Sequence, residues 1–258
     1  MLRKSIDFLH KPLFLLGIAA FFMCLTLDKR AKEKIEIKLS MACPLPIENE
    51  EIIQRQAYTL AYNEAHEQAN WVAYMLLKNQ SNNRVERSNR FMVDPLVSTG
   101  SATNADYAKS GWDRGHLAPA ADLSWSKEAM QSSFYYSNMS PQWPAFNRGI
   151  WKRLEEQVRD WSLLYDTLYV VTGPILSSNL PYIGPNKVSV PKAFFKALVA
   201  PNQKKGIAFL LRNVKSDEPL STFMLSIDDL EDKLGRDLFY QLPDDVEKLI
   251  EAQDTFWP

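Results

Sequence analysis

Three histidines occur in this sequence of 258 residues, and only one stands among side chains that could help it do chemistry. His10 precedes a long apolar run, and His66 lies in the polar turn Asn63-Glu64-Ala65-His66-Glu67. His116 sits in Trp112-Asp113-Arg114-Gly115-His116-Leu117-Ala118-Pro119. Arg114 supplies a nearby cation, Gly115 lets the backbone turn sharply, and Pro119 stops a regular element from continuing. A neutral imidazole, with an ordinary pKa of about 6.5, is suited to taking a proton from water at neutral pH. Further along, Asn147-Arg148-Gly149-Ile150-Trp151-Lys152-Arg153-Leu154-Glu155 is followed by Arg159. If that stretch is helical, Asn147, Trp151, Glu155 and Arg159 fall at successive i, i+4 steps along one stripe. The stripe brings a carboxamide, a carboxylate and a guanidinium to a common face. Taken alone, it is equally a surface helix with an ordinary Glu155–Arg159 ion pair.

The elements that must hold these groups can be read from periodicity. Tyr58, Leu60 and Tyr62 alternate as in a strand, and 70–77 reads as a second, more buried one. A polar loop over 79–89 carries Arg84 and Arg87, with Arg90 just beyond, and Asp94-Pro95 closes it. Ser126 is an N-cap residue before good helix formers, and 134–136 resembles a strand. Pro144 opens a long expected helix to about Leu164, with Ile150, Leu154, Val158 and Trp161 on its apolar face. Strands are expected over 168–172, 187–200 and 207–211, and helices over 228–234 and 244–250. Without a regular βαβ rhythm, the pattern predicts one α+β domain around an antiparallel sheet flanked by helices.

Composition sets outer limits. Hydrophobic residues make up 46% and charged residues 24%, so a packed core is expected and global disorder is excluded. The net charge of −1 argues against a uniformly basic surface, so any polyanion must be met by a local concentration of cations. The two cysteines, Cys24 and Cys43, both precede residue 50, which excludes a disulfide framework or a Cys-based zinc site in the folded domain. Residues 1–11 form a basic n-region. The uncharged run 12–27 reads as a signal peptide or transmembrane anchor, 28–52 as a tether, and 53–258 as the domain. Export to the periplasm or outside the cell is expected, with a mitochondrial address as the minor alternative.

Asp113-Arg114-Gly115-His116 with Pro119, then Asn138, Pro141-Gln142, Asn147, Trp151 and Glu155, resembles the DNA/RNA non-specific endonucleases, which carry a ββα-metal (His-Me finger) site. The similarity runs over 57–245 and includes Thr172-Gly173-Pro174 and Val190-Pro191-Lys192-Ala193-Phe194-Phe195-Lys196. The resemblance implies His116 as general base, Asn147 as direct ligand to Mg²⁺ (with Mn²⁺ as a substitute), and Glu155 as a partner to the metal through a bound water. It implies Arg114 and Arg159 as further positive charge on the phosphate, Asn138 as a positioning residue near the metal waters, and Asp113 as a residue that orders the loop. An upstream arginine joins such sites, and spacing leaves Arg87 and Arg90 open. The implied substrates are DNA and RNA, held through the phosphate backbone. A homodimer is a further option, as is membrane contact through 12–27. Trp125, Tyr135, Tyr136 and Trp143 are expected in the core, with base stacking as the alternative. The competing reading is a membrane-anchored nucleic-acid-binding protein of this fold without catalysis.

Overall fold

The computed structural model describes residues 40–48, 50–82 and 85–258. The expected apolar span 12–27 and the basic segment before it lie outside the described residues. Among those that are described, no helix is long and apolar enough to cross a membrane.

Seven strands form one antiparallel sheet. β1 (Glu51–Gln54), β2 (Tyr58–Asn63), β3 (Gln68–Leu77), β6 (Thr167–Pro174), β9 (Ala193–Ala200), β10 (Lys205–Arg212) and β11 (Met224–Leu225) lie side by side in that order. The numbering skips two short ribbons, β4 (Asp113–His116) with β5 (Met139–Gln142), and β7 (Tyr182–Ile183) with β8 (Val188–Ser189). The central strands are apolar on both faces because helices cover both. On one side α3 (Lys152–Tyr165) lays Leu154, Val158 and Trp161 against a layer that includes Leu60, Tyr74, Val170 and Phe209. On the other, α4 (Ile227–Leu234) and α5 (Asp244–Glu251) bury Ile227, Leu230 and Ile250 against Trp71, Val171 and Ala208. Residues that alternate along a strand thus serve two different cores. Two short helices complete the set: α1 (Asn104–Tyr107), closed by a Thr103–Asp106 capping box, and α2 (Lys127–Ser132), capped by Ser126.

Several expectations are corrected. The expected tether ends before residue 52. Ala42 is fully buried, Glu50 is bonded to Arg236 and Asn70, and Glu51–Gln54 pairs with β2 as an edge strand. Residues 134–136 are not a strand; Tyr135 makes a single bridge to Met92, and Tyr136–Asn138 is a 3-10 turn. The pairing stops at that one bridge, in which Met92 N–H donates to the Phe134 carbonyl and Tyr136 N–H to the Met92 carbonyl, because the chain turns at Tyr136. The strand expected over 187–200 breaks in two where Pro191 has no N–H to give. The long helix from Pro144 is also interrupted: Phe146–Trp151 is a wide π-type turn in which Gly149 leaves helical geometry (φ −108°, ψ −111°). Asn147 therefore stands before the kink and is not in regular register with Glu155.

Candidate active site

The β4–β5 ribbon carries the histidine. Its antiparallel register sets His116 opposite Met139 and Asp113 opposite Gln142. Gly115 is required by close approach, since a Cβ there would stand 2.2 Å from Cδ of the buried Gln142 side chain. Beyond the strand, Leu117 N–H donates to the Asn138 carbonyl at 3.0 Å. The Asn138 side chain accepts from Ala118 N–H at 2.9 Å and donates to the carbonyls of Ala118 and Ser133. Asn138 is fully buried and both ends of its amide are engaged, so it fixes the loop after His116.

Asp113 joins the two halves of the site. It accepts from Asn147 Nδ2 at 3.0 Å, from Arg148 Nε at 2.8 Å and from Arg148 Nη2 at 2.6 Å. Burial alone would push its carboxyl up, but those bonds and the charges of Arg148 and Arg114 bring it below the usual carboxylate range. Because Asn147 donates its amide nitrogen here, its carbonyl oxygen is the end left to act as a ligand. The expected role of Asp113 in ordering the loop has this structural counterpart: it anchors the π-type turn to the strand that ends in His116.

His116 is walled by aromatic rings. Phe134 meets it edge to face with centroids 4.9 Å apart, and Phe91 lies 5.9 Å away. Nε2 is buried and has no hydrogen-bond partner among the described residues. Burial, reinforced by the charge of Arg87, pushes its pKa down to about 3, so the ring is neutral at pH 7. Arg87 stands with its guanidinium 5.0 Å from the Phe134 ring centre, and its charge acts on both His116 and Glu155. Arg90 instead lines a separate hollow with Lys127, Met130 and Gln131. Of the two upstream arginines, Arg87 faces the site. Arg114 donates from Nη2 to Asn104 at 2.5 Å and from Nε to Tyr136 Oη at 3.2 Å, and lies over Phe91 at 5.1 Å.

Glu155, on the first turn of α3, makes no hydrogen bond or ion pair with any described residue. Burial pushes its carboxyl well up, Lys196 opposes this most, and Arg159 and Arg87 add to the opposition. Arg159 is engaged elsewhere. Nη1 donates to Asp122 at 3.0 Å, and Asp122 also accepts from Tyr74 Oη at 2.9 Å. The surface ion pair between Glu155 and Arg159 does not form, and Nη1 of the Arg159 guanidinium is held by a fully buried carboxylate. Lys196 is the residue that motif reading missed. It is 0% exposed, its Nζ has no hydrogen-bond partner among the described residues, and it stands 5.0 Å from the Trp151 ring centre and 5.8 Å from that of Tyr74. Strand alternation held the signal, because Lys196 shares the inward parity of Phe194 and Leu198.

The aromatic residues divide. Tyr136 is buried, Trp125 packs against the main core, and Tyr135 lies under Arg55 at 4.1 Å. Trp143 is 45% exposed and meets Trp112 edge to face at 5.6 Å, just past the end of the β4–β5 ladder. An amide oxygen and an unpaired carboxylate, with no sulfur or second imidazole, make a hard oxygen donor set that fits Mg²⁺ or a similar ion.

A neutral imidazole and a carboxamide oxygen on segments tied through Asp113, with guanidinium groups around them, suit a metal-dependent nuclease. The chain belongs to the DNA/RNA non-specific endonuclease family, whose model matches residues 40–245. Among its relatives, it is similar to "Endonuclease G, mitochondrial" of Homo sapiens, 37% identical over 198 residues that cover 70% of this chain and 67% of that one. It is also similar to "Nuclease" of Nostoc sp., 32% identical with 78% of each chain covered, and to "Nuclease C1" of Cunninghamella echinulata, 34% identical over 74% of this chain and 84% of that one. The fold matches a solved structure of EndoG in complex with EndoGI, with TM-score 0.72 and 30% identity over 80% of this chain and 91% of that chain.

Proposed function

We propose that this protein is a Mg²⁺-dependent, sequence-non-specific endonuclease that hydrolyses phosphodiesters of both DNA and RNA and leaves 5′-phosphate ends. The observation that carries the reading is the Asp113–Asn147 hydrogen bond. It ties a carboxamide to the strand that ends in a neutral, ring-walled histidine. Asn147 Oδ1 would hold the ion directly and Glu155 would hold it through a bound water. When bound, the cation supplies charge neutralisation at the phosphate and at the departing 3′ oxygen. His116 accepts the proton of the attacking water, and its low proton affinity keeps it in the basic form. Arg87 and Arg114 border the approach to His116 and offer positive charge to the phosphate. Asp113 and Asn138 act only by positioning. Contacts to phosphates alone carry no base information, which accounts for the lack of sequence preference.

The test is a nuclease assay on plasmid DNA and on RNA over a Mg²⁺ titration. His116→Ala is expected to lose roughly 10²–10⁴-fold in rate with the fold intact. Asn147→Ala is expected to move the Mg²⁺ midpoint upward by about tenfold or more. Near-full activity in the first variant, or an unmoved midpoint in the second, overturns the assignment. Export, directed by the apolar run at 12–27, is part of the same proposal. Secretion of a reporter fused to residues 1–52 checks it.

A further inference from the structure

The second helical layer, on the sheet face away from His116, gathers carboxylates with almost no counter-charge. Asp228 and Glu231 stand one turn apart on α4, and Glu251 ends α5. One carboxylate oxygen from each of the three lies within 4.8 Å of the others. Glu251 is 5% exposed, and its Oε1 has no hydrogen-bond partner among the described residues. Asp237 and Glu247 border the group, each with a buried carboxylate oxygen that is likewise unpartnered. Glu231 does have a partner, accepting from Leu238 N–H at 2.7 Å. Lys248 offers counter-charge to Glu247 at the border of the group. Burial, then the neighbouring carboxylates, raise Glu251 to about 9, and burial raises Glu231 to about 7.

Asp228 is exposed and Glu231 half-buried, but both crowd the buried, unpartnered Glu251 carboxylate, and such a group is kept beside like charges either by a proton or by a cation. The donors here are all oxygens, from two helices and the loop between them, with no histidine or sulfur. That chemistry suits a large, hard ion that accepts six to eight oxygens in irregular geometry, and suits poorly the strict octahedron of Mg²⁺. We propose that Asp228, Glu231 and Glu251 form a structural Ca²⁺ site that clamps α4 to α5. The site is independent of the nuclease reading, and either can fail without the other.

The test is thermal unfolding of the full chain at pH 7.5 with added CaCl₂, in wild type, Asn147→Ala and Glu251→Gln. Asn147→Ala removes the contribution of the nuclease site. In wild type and Asn147→Ala, saturating Ca²⁺ is expected to raise Tm by about 5 °C or more. Glu251→Gln, an isostere without the charge, is expected to fold, to be more stable than wild type without Ca²⁺, and to lose the Ca²⁺-dependent rise. The absence of any Ca²⁺ shift in wild type, or an undiminished shift in Glu251→Gln, overturns the site. An equal shift with MgCl₂ in the Asn147→Ala background overturns the choice of calcium.

Discussion

At the scale of single residues, His116 is unusual because nothing polar holds it. Its neighbours are two phenylalanine rings and a cation, and the burial, together with the charge of Arg87, disfavours the imidazolium. The consequence for stability follows from linkage. The unfolded chain takes up a proton on this histidine below about pH 6.5, and the native chain does not until about pH 3. Native stability therefore falls as pH drops through that window. Replacement by a non-titrating residue, His116→Asn, is expected to flatten this part of the stability curve, as measured by urea unfolding between pH 4 and 7. An identical slope in both proteins would show that the imidazole is readily protonated in the fold. The same burial that destabilises the protein in acid keeps the ring ready to accept a proton at neutral pH.

At the scale of elements, the site depends on three joints. The first is the close packing of β4 on β5 at Gly115, where Gly115→Ala drives a methyl group into Gln142. Overpacking of this kind is expected to cost about 1–3 kcal/mol and to lower nuclease activity beyond the stability loss, as read by chemical unfolding and rate measured together. The second joint is Asp113 to Asn147 and Arg148. The third is Arg159 to Asp122, which locks α3 to the loop after His116. Arg159→Met leaves the fully buried Asp122 without its cation, and the expected loss is about 3 kcal/mol or more. The double variant Arg159→Met/Asp122→Leu is expected to recover much of that loss, because neither member of the pair is then left without the other. If the double variant is no better than the single, the pair is not what holds these elements together.

At the scale of the whole molecule, a net charge of −1 coexists with a polyanionic substrate. The cations must act locally. Arg87 and Arg114 border His116 and Arg148 flanks Asn147, while α4 and α5 carry an acidic surface on the opposite layer. Cleavage at low substrate concentration is therefore expected to fall steeply with added salt. Charge reversal at Arg87 is expected to reduce both the rate and the salt dependence, and Lys204→Glu, at a turn remote from the ribbon, neither. A salt profile unaffected by Arg87→Glu would place the substrate path elsewhere.

Much of this was legible in the chain itself. Alternation marked β2, apolar runs marked β3, β6 and β10, and the ordered residues from Asp113 to Glu155 pointed to the family and singled out His116, Asn147 and Glu155. Both depend on local chemistry: strand periodicity is written along the chain, and a reaction requires particular side chains whatever their neighbours. The tertiary structure alone decided who partners whom. Arg159 belongs to Asp122 and not to Glu155, Asn138 braces a loop, Arg87 rather than Arg90 faces His116, and Lys196 lies buried beneath Trp151. Charge pairing and burial are set by contacts between residues far apart in sequence. A carboxylate's nearest cation, and the amount of water left to it, exist only once the sheet has closed over its helices.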